Sequence, residues 1–357
     1  MTRLRRIAGK ARPEVVAEIV ACLERGAVIA IDDPAVVPPP LPDALPGAAV
    51  VLHTSGTTGD AKRVQLSRAA LMASAEATWR ALGRRAGDRW LCCLSLARIG
   101  GLSIITRCMA SDCEPVLVER FDVEAVIEAI ESERVTLISL VPTMLELLLS
   151  RAPAWQPPDH LRACLVGGAP ASDDLLDRAR QRGVPVVTAY GMTETCSHVA
   201  LDGVLVDRAR AQVIDGRIAI SGPMLALECG PWFVTGDAGE IDSTGKLIVY
   251  GRADDAILSA GETIHPAQVE RELDRAGVGP TCVFGVPDPI WGEIVAAAVV
   301  GPPEQLRGMS DRAAALPSRI RPRLWAAVRS LPTTAAGKLD RRAVARAAAQ
   351  GGFALIR

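Results

Sequence analysis

The sequence predicts an α/β fold: a large first domain with a mainly parallel, helix-covered sheet and a small β subdomain, followed by a small α+β domain. Three observations carry this expectation. From Ala48 to residue 188, short apolar runs alternate with helix-period stretches; beyond residue 200 the pattern changes to short strands with glycine turns; and a new alternation starts after Gly251-Arg252-Ala253-Asp254-Asp255. Strands separated by helices pair in parallel because each crossover needs the length of a helix. A chain of 357 residues with 49% hydrophobic content has room for two domains and a sizeable core.

Residues 1–31 read as a helix, with its pattern over Ala11 to Ala30, and a short strand. The Pro-rich link from Pro34 to Pro46 cannot be regular structure. The core begins at Ala48. Apolar β-type runs place strands at 48–53, 90–96, 115–118, 135–141, 161–166 and 184–188, and helical periodicity places helices at 67–82, 100–110, 122–133, 142–151 and 172–182. The β subdomain is expected from strands at 217–221, 232–235, 239–242 and 247–250, the last two joined through Thr244-Gly245. Beyond the polar break follow a strand at 256–259, a helix at 266–276, strands at 281–286 and 293–300, a helix at 311–330 and an Ala-rich helix after Arg342. The domains are therefore expected to cover 1–251 and 252–357.

Forty basic and 41 acidic residues leave a net charge of -1, which argues against nucleic acid or an anionic membrane as a partner. Any anion binding must be local. The nine cysteines are scattered, mostly in apolar runs, without paired C-x-x-C spacing, and read as buried reduced thiols rather than a metal site. Glu14, Glu18, Glu24 and Arg25 interrupt the first helical pattern, and Pro142 and Glu146 break the most apolar long run, so neither reads as a signal peptide or membrane span. The chain is expected to be a soluble cytoplasmic protein.

Ligands on such sheets gather at the carboxyl ends of the strands. Three segments leave strands there: 54–63, Gly167-Gly168-Ala169-Pro170, and Tyr190 to Thr195. The first, His53 to Lys62, puts two glycines, four hydroxyls and a lysine directly after the run Ala48 to Leu52. Glycines let a polyphosphate approach the backbone, N–H groups and hydroxyls donate to it, and Lys62 adds charge. The spacing is not that of the usual P-loop, since Lys62 lies three residues beyond Gly59. Taken alone, the segment reads equally well as a Ser/Thr/Gly turn.

Five motifs in series carry a resemblance. They are Thr54-Ser55-Gly56-Thr57-Thr58-Gly59 with Lys62; Tyr190-Gly191-Met192-Thr193-Glu194; Thr235-Gly236-Asp237; Gly251-Arg252-Ala253-Asp254-Asp255 with Gly261; and Pro332 to Lys338. Over roughly residues 48–342 the chain resembles the acyl-adenylate-forming ligases, which include acyl-CoA synthetases, peptide-synthetase adenylation domains and luciferases. The resemblance implies that segment 54–62 holds the phosphates of ATP, that Gly167, Gly168 and Ala169 line the adenine, and that Tyr190 stacks on it. Gly191, Met192 and Thr193 would complete that wall. Glu194 would ligate Mg²⁺, Asp237 would bind the ribose, Arg252 would add a nucleotide contact, and Asp254 would be the hinge between domains.

Lys338 would be catalytic, stabilising charge as a carboxylate attacks the α-phosphate; Glu194 would assist through the metal. The second domain would then rotate and present Gly261 to coenzyme A, the co-substrate. Within the superfamily, the loop Arg98 to Arg107 and the run Gly191 to His198 look most like the o-succinylbenzoate-CoA ligases of menaquinone biosynthesis. That likeness assigns Arg98, Gly101, Ser103, Arg107 and His198 to the acyl pocket, with Arg107 expected as a buried cation for the substrate's second carboxylate. Arg98, Arg63, Ala61 and Gln268 depart from the usual residues, and Gly56 falls unusually early, as in a chain with a shortened N-terminal part. Two other readings stay open: an adenylating enzyme that passes its acyl group to a carrier protein, and a non-catalytic nucleotide-binding protein. A homodimer is left open as well.

Overall fold

The computed structural model describes residues 5–34, 44–55, 61–333 and 339–356. The first sheet has four strands in sequential order: β1 (Arg5–Ala8), β2 (Ile29–Asp32), β3 (Ala48–Ser55) and β4 (Ala61–Ser67). The first three run parallel, and β4 pairs antiparallel with β3, Ser55 opposite Ala61. Helix α1 (Pro13–Glu24) makes the crossover from β1 to β2, with Pro13 in its first turn, where a missing N–H costs nothing. Strand 48–53 was expected to open one continuous parallel sheet; it lies instead in this separate sheet. The reason is local. Only five residues separate β3 from β4, too few for a helical crossover, so the chain turns back on itself.

Helix α2 (Arg68–Leu82) follows at once, the Ser67 hydroxyl accepting from Ala70 N at 3.0 Å as its N-cap. It leads to the second sheet, formed by β5 (Arg89–Cys92), β6 (Glu114–Leu117), β7 (Leu137–Leu140), β8 (Ala163–Gly167), β9 (Val186–Met192), β10 (Ser197–Leu201) and β11 (Val204–Leu205). Its spatial order is β11-β10-β9-β8-β7-β5-β6, parallel from β6 to β9 and antiparallel beyond. The crossovers are α3 (Ile99–Met109), α4 (Val123–Ser132), α5 (Pro142–Arg151) and α6 (Asp173–Gln181), close to the expected bounds. Alternate strand residues feed two cores. Trp90, Cys92, Leu137 and Leu165 pack with α2 and α3, while Leu91, Ile138, Leu140 and Val166 pack with α4, α5 and α6. Helices thus cover both faces, as parallel strands require.

The third sheet is an antiparallel meander of β12 (Arg210–Ile214), β13 (Arg217–Ser221), β14 (Phe233–Ile241) and β15 (Leu247–Arg252). The two strands expected at 232–235 and 239–242 are one. Gly236, in the expected break, and Gly239, at the start of the second expected strand, both sit inside β14, where the register shifts between Ala238 and Gly239 as in a β-bulge. The fourth sheet comprises β16 (Ile257–Ser259), β17 (Glu262–Ile264), β18 (Thr281–Asp288), β19 (Gly292–Val300) and β20 (Leu324–Val328). Helices α7 (Pro266–Arg275) and α8 (Leu306–Ala313) pack on one face and α9 (Arg341–Ala349) on the other. The helix expected at 311–330 is wrong: α8 stops at Ala313, Pro317 and Pro322 interrupt the chain, and Leu324–Val328 pairs parallel with β19. Alanine-rich composition gave way there to sheet pairing.

Among the described residues no helix is long and apolar enough to cross a membrane. All nine cysteines are free, eight of them buried.

Candidate active site

Segment 190–195 lies where three sheets meet. Tyr190, Gly191 and Met192 end β9, and Thr193–Thr195 make a 3-10 turn. From the first sheet, Lys62 on β4 brings its Nζ to 3.0 Å from Glu194 Oε1 and to 5.9 Å from the Phe233 ring centroid. The mouth of the β3–β4 hairpin is closed by the Thr54 hydroxyl, which donates to the Lys62 carbonyl at 3.2 Å. From the third sheet, Asp237 on β14 accepts from the Tyr190 hydroxyl at 2.9 Å and from Arg252 Nη1 at 3.3 Å. Burial and, after it, the charge of Asp237 push the Tyr190 phenol pKa up, so that it stays a donor.

Asp237 and Arg252 are opposed in the β14–β15 register. Gly236 lets the arginine lie across the strand, since a Cβ there would stand 2.5 Å from its guanidinium carbon. Gly167 ends β8, and Gly168 and Ala169 follow in the turn beyond it, at the same carboxyl end of the sheet as segment 190–195. Thr54 and Ser55 end β3; Gly56, Thr57, Thr58 and Gly59 lie outside the described residues, as does Lys338.

A second polar group is buried beside β10. Arg107, near the end of α3, is 2% exposed and sits against the face of Trp90, 4.9 Å from its ring centroid. Its Nη2 donates to Ser197 Oγ at 2.7 Å and contacts His198 Nδ1 at 3.2 Å. The Thr78 hydroxyl donates to the Ser74 carbonyl at 2.9 Å, so it accepts from His198 Nε2, 2.9 Å away. That fixes the tautomer: Nε2 carries the hydrogen and Nδ1 accepts from Arg107. Burial, reinforced by the arginine's charge, holds the His198 pKa well below the ordinary value, and burial brings Arg107 down to about 9. No carboxylate among the described residues pairs with Arg107. His198 stands opposite Gly191 in the β9–β10 register, which links this group to the first.

The other acyl-pocket candidates sit on the same helix. Arg98 is the N-cap residue of α3, 39% exposed at its side chain, with Nη2 3.5 Å from Asp33 Oδ2. The Ser103 hydroxyl turns back to the Gly100 carbonyl at 3.1 Å. Gly101 faces the chain turn before the helix, where a Cβ would come within 2.8 Å of the Leu94 carbonyl. Asp254, in the 3-10 turn 253–255, accepts from Arg217 Nη2 at 2.7 Å. Gly261 turns from β16 to β17 at φ +82°, with open space where a side chain would be. Sequence reasoning missed Thr78, Ser197, Trp90 and Arg217. Ser74 and Thr78, four apart on the buried face of α2, were the available signal for the first.

The profile of the AMP-binding enzyme family matches residues 34–220. A 2-succinylbenzoate–CoA ligase of Enterococcus faecalis is 33% identical over 337 residues, covering 84% of this chain and 69% of the relative. One from Bacillus cereus is 34% identical over 293 residues, covering 71% of this chain and 60% of the relative. Among solved structures, the o-succinylbenzoate CoA synthetase of Bacillus subtilis in complex with its acyl-adenylate intermediate superposes with a TM-score of 0.83 at 27% identity, over 96% of this chain and 87% of that one. The same synthetase with ATP and magnesium ion gives 0.78 at 27% identity, over 95% and 88%. An amide bond synthetase from Marinactinospora thermotolerans gives 0.75 at 28% identity, over 96% and 79%. Matched over more than half its length by the family profile, and carrying its motifs in order on the same fold, the chain belongs to the AMP-binding enzyme family.

Proposed function

We propose that the chain is an ATP-dependent acyl-CoA ligase acting on o-succinylbenzoate in menaquinone biosynthesis. In the first half-reaction a carboxylate oxygen attacks the α-phosphorus, the bond to the bridging oxygen breaks, and pyrophosphate leaves an acyl-adenylate. In the second the thiol of coenzyme A, giving up its proton, attacks the acyl carbon and AMP departs. The observation that carries this reading is the line of polar groups from three sheets, Lys62–Glu194 and Tyr190–Asp237–Arg252, on a chain whose relatives are succinylbenzoate-CoA ligases.

In this reading Lys62 and segment 54–62 hold the triphosphate, Gly167, Gly168 and Ala169 border the adenine with Tyr190, and the Asp237 carboxylate takes the ribose hydroxyls. Glu194, a hard oxygen donor whose carboxylate already faces a cation at 3.0 Å, would hold Mg²⁺, which neutralises phosphate charge when bound. Residues 252–357 would move as one body about Asp254, bringing Lys338 in for adenylation and Gly261 for thioester formation. Arg107 is a buried cation without a carboxylate among the described residues, a costly arrangement unless a substrate anion completes it. We assign it to the second carboxylate of o-succinylbenzoate. Reduced thiols throughout support a cytoplasmic setting.

The test is pyrophosphate release and mass detection of the thioester with o-succinylbenzoate, MgATP and coenzyme A. Thioester formation is expected, and Arg107→Met should lose at least about tenfold in kcat/KM for this diacid against a benzoate monoacid, the size of one charge-assisted hydrogen bond. Acyl-adenylate accumulating while coenzyme A is not consumed would overturn the acceptor and favour a carrier-protein thiol.

A further inference from the structure

A cluster with no role in the site above lies at the root of segment 54–62. Strands β1, β2 and β3 run parallel, with Ala8 beside Asp32 and Ile31 beside Leu52, so their carboxyl ends lie level. Along these strands Ile7, Ile29, Ile31, Val50 and Leu52 are buried apolar residues. At the last step the chain changes to Asp32 and His53, whose side chains are only 13% and 14% exposed. Arg6 reaches across to Asp32 Oδ2 at 2.9 Å. The other oxygen, Oδ1, faces His53 Nδ1 at 3.6 Å, and neither atom has a hydrogen-bond partner among the described residues. Two buried polar atoms that face each other at 3.6 Å with no other partner can satisfy one another by a small shift of either side chain.

The position of this contact gives it a use. His53 is followed by Thr54, whose hydroxyl closes the hairpin mouth on Lys62, the residue that meets Glu194. Because side chains alternate along a strand, Thr54 and Lys62 share the face toward Glu194, while His53 and its cross-strand partner Arg63 share the other. The charged groups around the imidazole are Asp32 on β2, Arg6 on β1 and Arg63 on β4; Arg98, at the start of α3, pairs with Asp33 next to Asp32. A polyphosphate bound on the hairpin would bring negative charge close to this imidazole.

We propose that Asp32 and His53 are a positioning pair for the ATP-binding hairpin: the Nδ1–H···Oδ1 bond closes when the polyphosphate is bound and fixes the backbone from which Thr54 and Lys62 project. The inference rests on the assignment of segment 54–62 to ATP. Burial lowers the imidazole pKa below its ordinary value despite Asp32, and added negative charge nearby would raise it.

The experiment measures KM for MgATP and kcat for pyrophosphate release, together with MgATP binding by calorimetry, in four proteins. Wild type comes first, and absence of MgATP binding there overturns the nucleotide assignment and this inference with it. Asp32→Asn and His53→Phe are expected to raise KM for MgATP about tenfold with kcat within about twofold, because a lost charge-assisted hydrogen bond is of that size. His53→Asn keeps an N–H donor at the Nδ1 position and should restore most of the affinity. Lowering the pH from about 8 to about 6 should tighten MgATP binding more in wild type than in His53→Asn, a difference that cancels the titration of ATP itself. Asp32→Asn is isosteric, and thermal melts verify that it folds. Wild-type affinity for MgATP in Asp32→Asn, or equal losses in His53→Asn and His53→Phe, would overturn the positioning role.

Discussion

His198 is neutral in the folded protein because it is buried beside the Arg107 cation, and this gives the protein a measurable response to acid. Its folded pKa lies below the ordinary 6.5, so below that pH the unfolded chain binds a proton that the native state refuses. Stability therefore falls as pH drops below 6.5, by about 1.4 kcal/mol per pH unit for each such group. His53 and His265 shift in the same direction. In urea melts, His198→Asn should show a shallower acid limb than wild type by about one proton; an unchanged limb would mean that His198 is protonated in the native state. Residue chemistry was partly legible beforehand. Arg107 and His198 were named from the sequence, and both belong to one hydrogen-bonded group. Thr78, Ser197 and Trp90 were not, because their relation to Arg107 is made by strands and helices far apart in the chain, and no local pattern encodes such a meeting.

Elements formed where local signals and tertiary contacts agreed. Helix 142–151 was read to the residue from Pro142 at its start and the apolar periodicity behind it. Ser67 serves two elements, ending β4 and capping α2 through Ala70 N. Ser67→Ala should cost about 1 kcal/mol of unfolding free energy, while Ser67→Asp, which can still accept, should cost little. Equal losses would locate Ser67's contribution in the strand rather than the cap. The misread elements share one physical cause, since strand pairing is decided by neighbours remote in sequence. β4 was taken as loop because Lys62 and Arg63, charged and exposed on opposite faces of the strand, hide the alternation; β20 was taken as helix because its alanines are good helix formers until β19 offers a parallel edge. The gap expected at 236–238 is a bulge inside β14.

At the scale of the whole molecule, the proposed mechanism has the part carrying Lys338 change its place between the two half-reactions. In the arrangement described, Arg217 on β13 holds Asp254 beside the proposed hinge, and Arg275 on α7 meets Asp173 on α6. The Arg217–Asp254 side chains are 39% and 45% exposed, so the pair should contribute less than about 1 kcal/mol to stability. Arg217→Ala should therefore leave the melting temperature nearly unchanged while altering the ratio of adenylation to thioester-forming rates by up to about fivefold. Identical ratios would show that the pair does not bias the moving part. The serial order of motifs made the family legible, and the separation of the first sheet from the second was not, because alternation gives the sequence of elements without saying where one sheet ends.

Only two tyrosines occur in the chain. Tyr190 bonds to Asp237, and Tyr250, two residues before Arg252, lies 5.2 Å from the His265 ring at the start of α7. Replacing both with fluorotyrosine would thus give a two-line fluorine spectrum in which one resonance watches Asp237, the proposed ribose ligand, and the other the proposed joint. Nucleotide occupancy and movement of the carboxyl-terminal part would then be read separately from one sample during turnover.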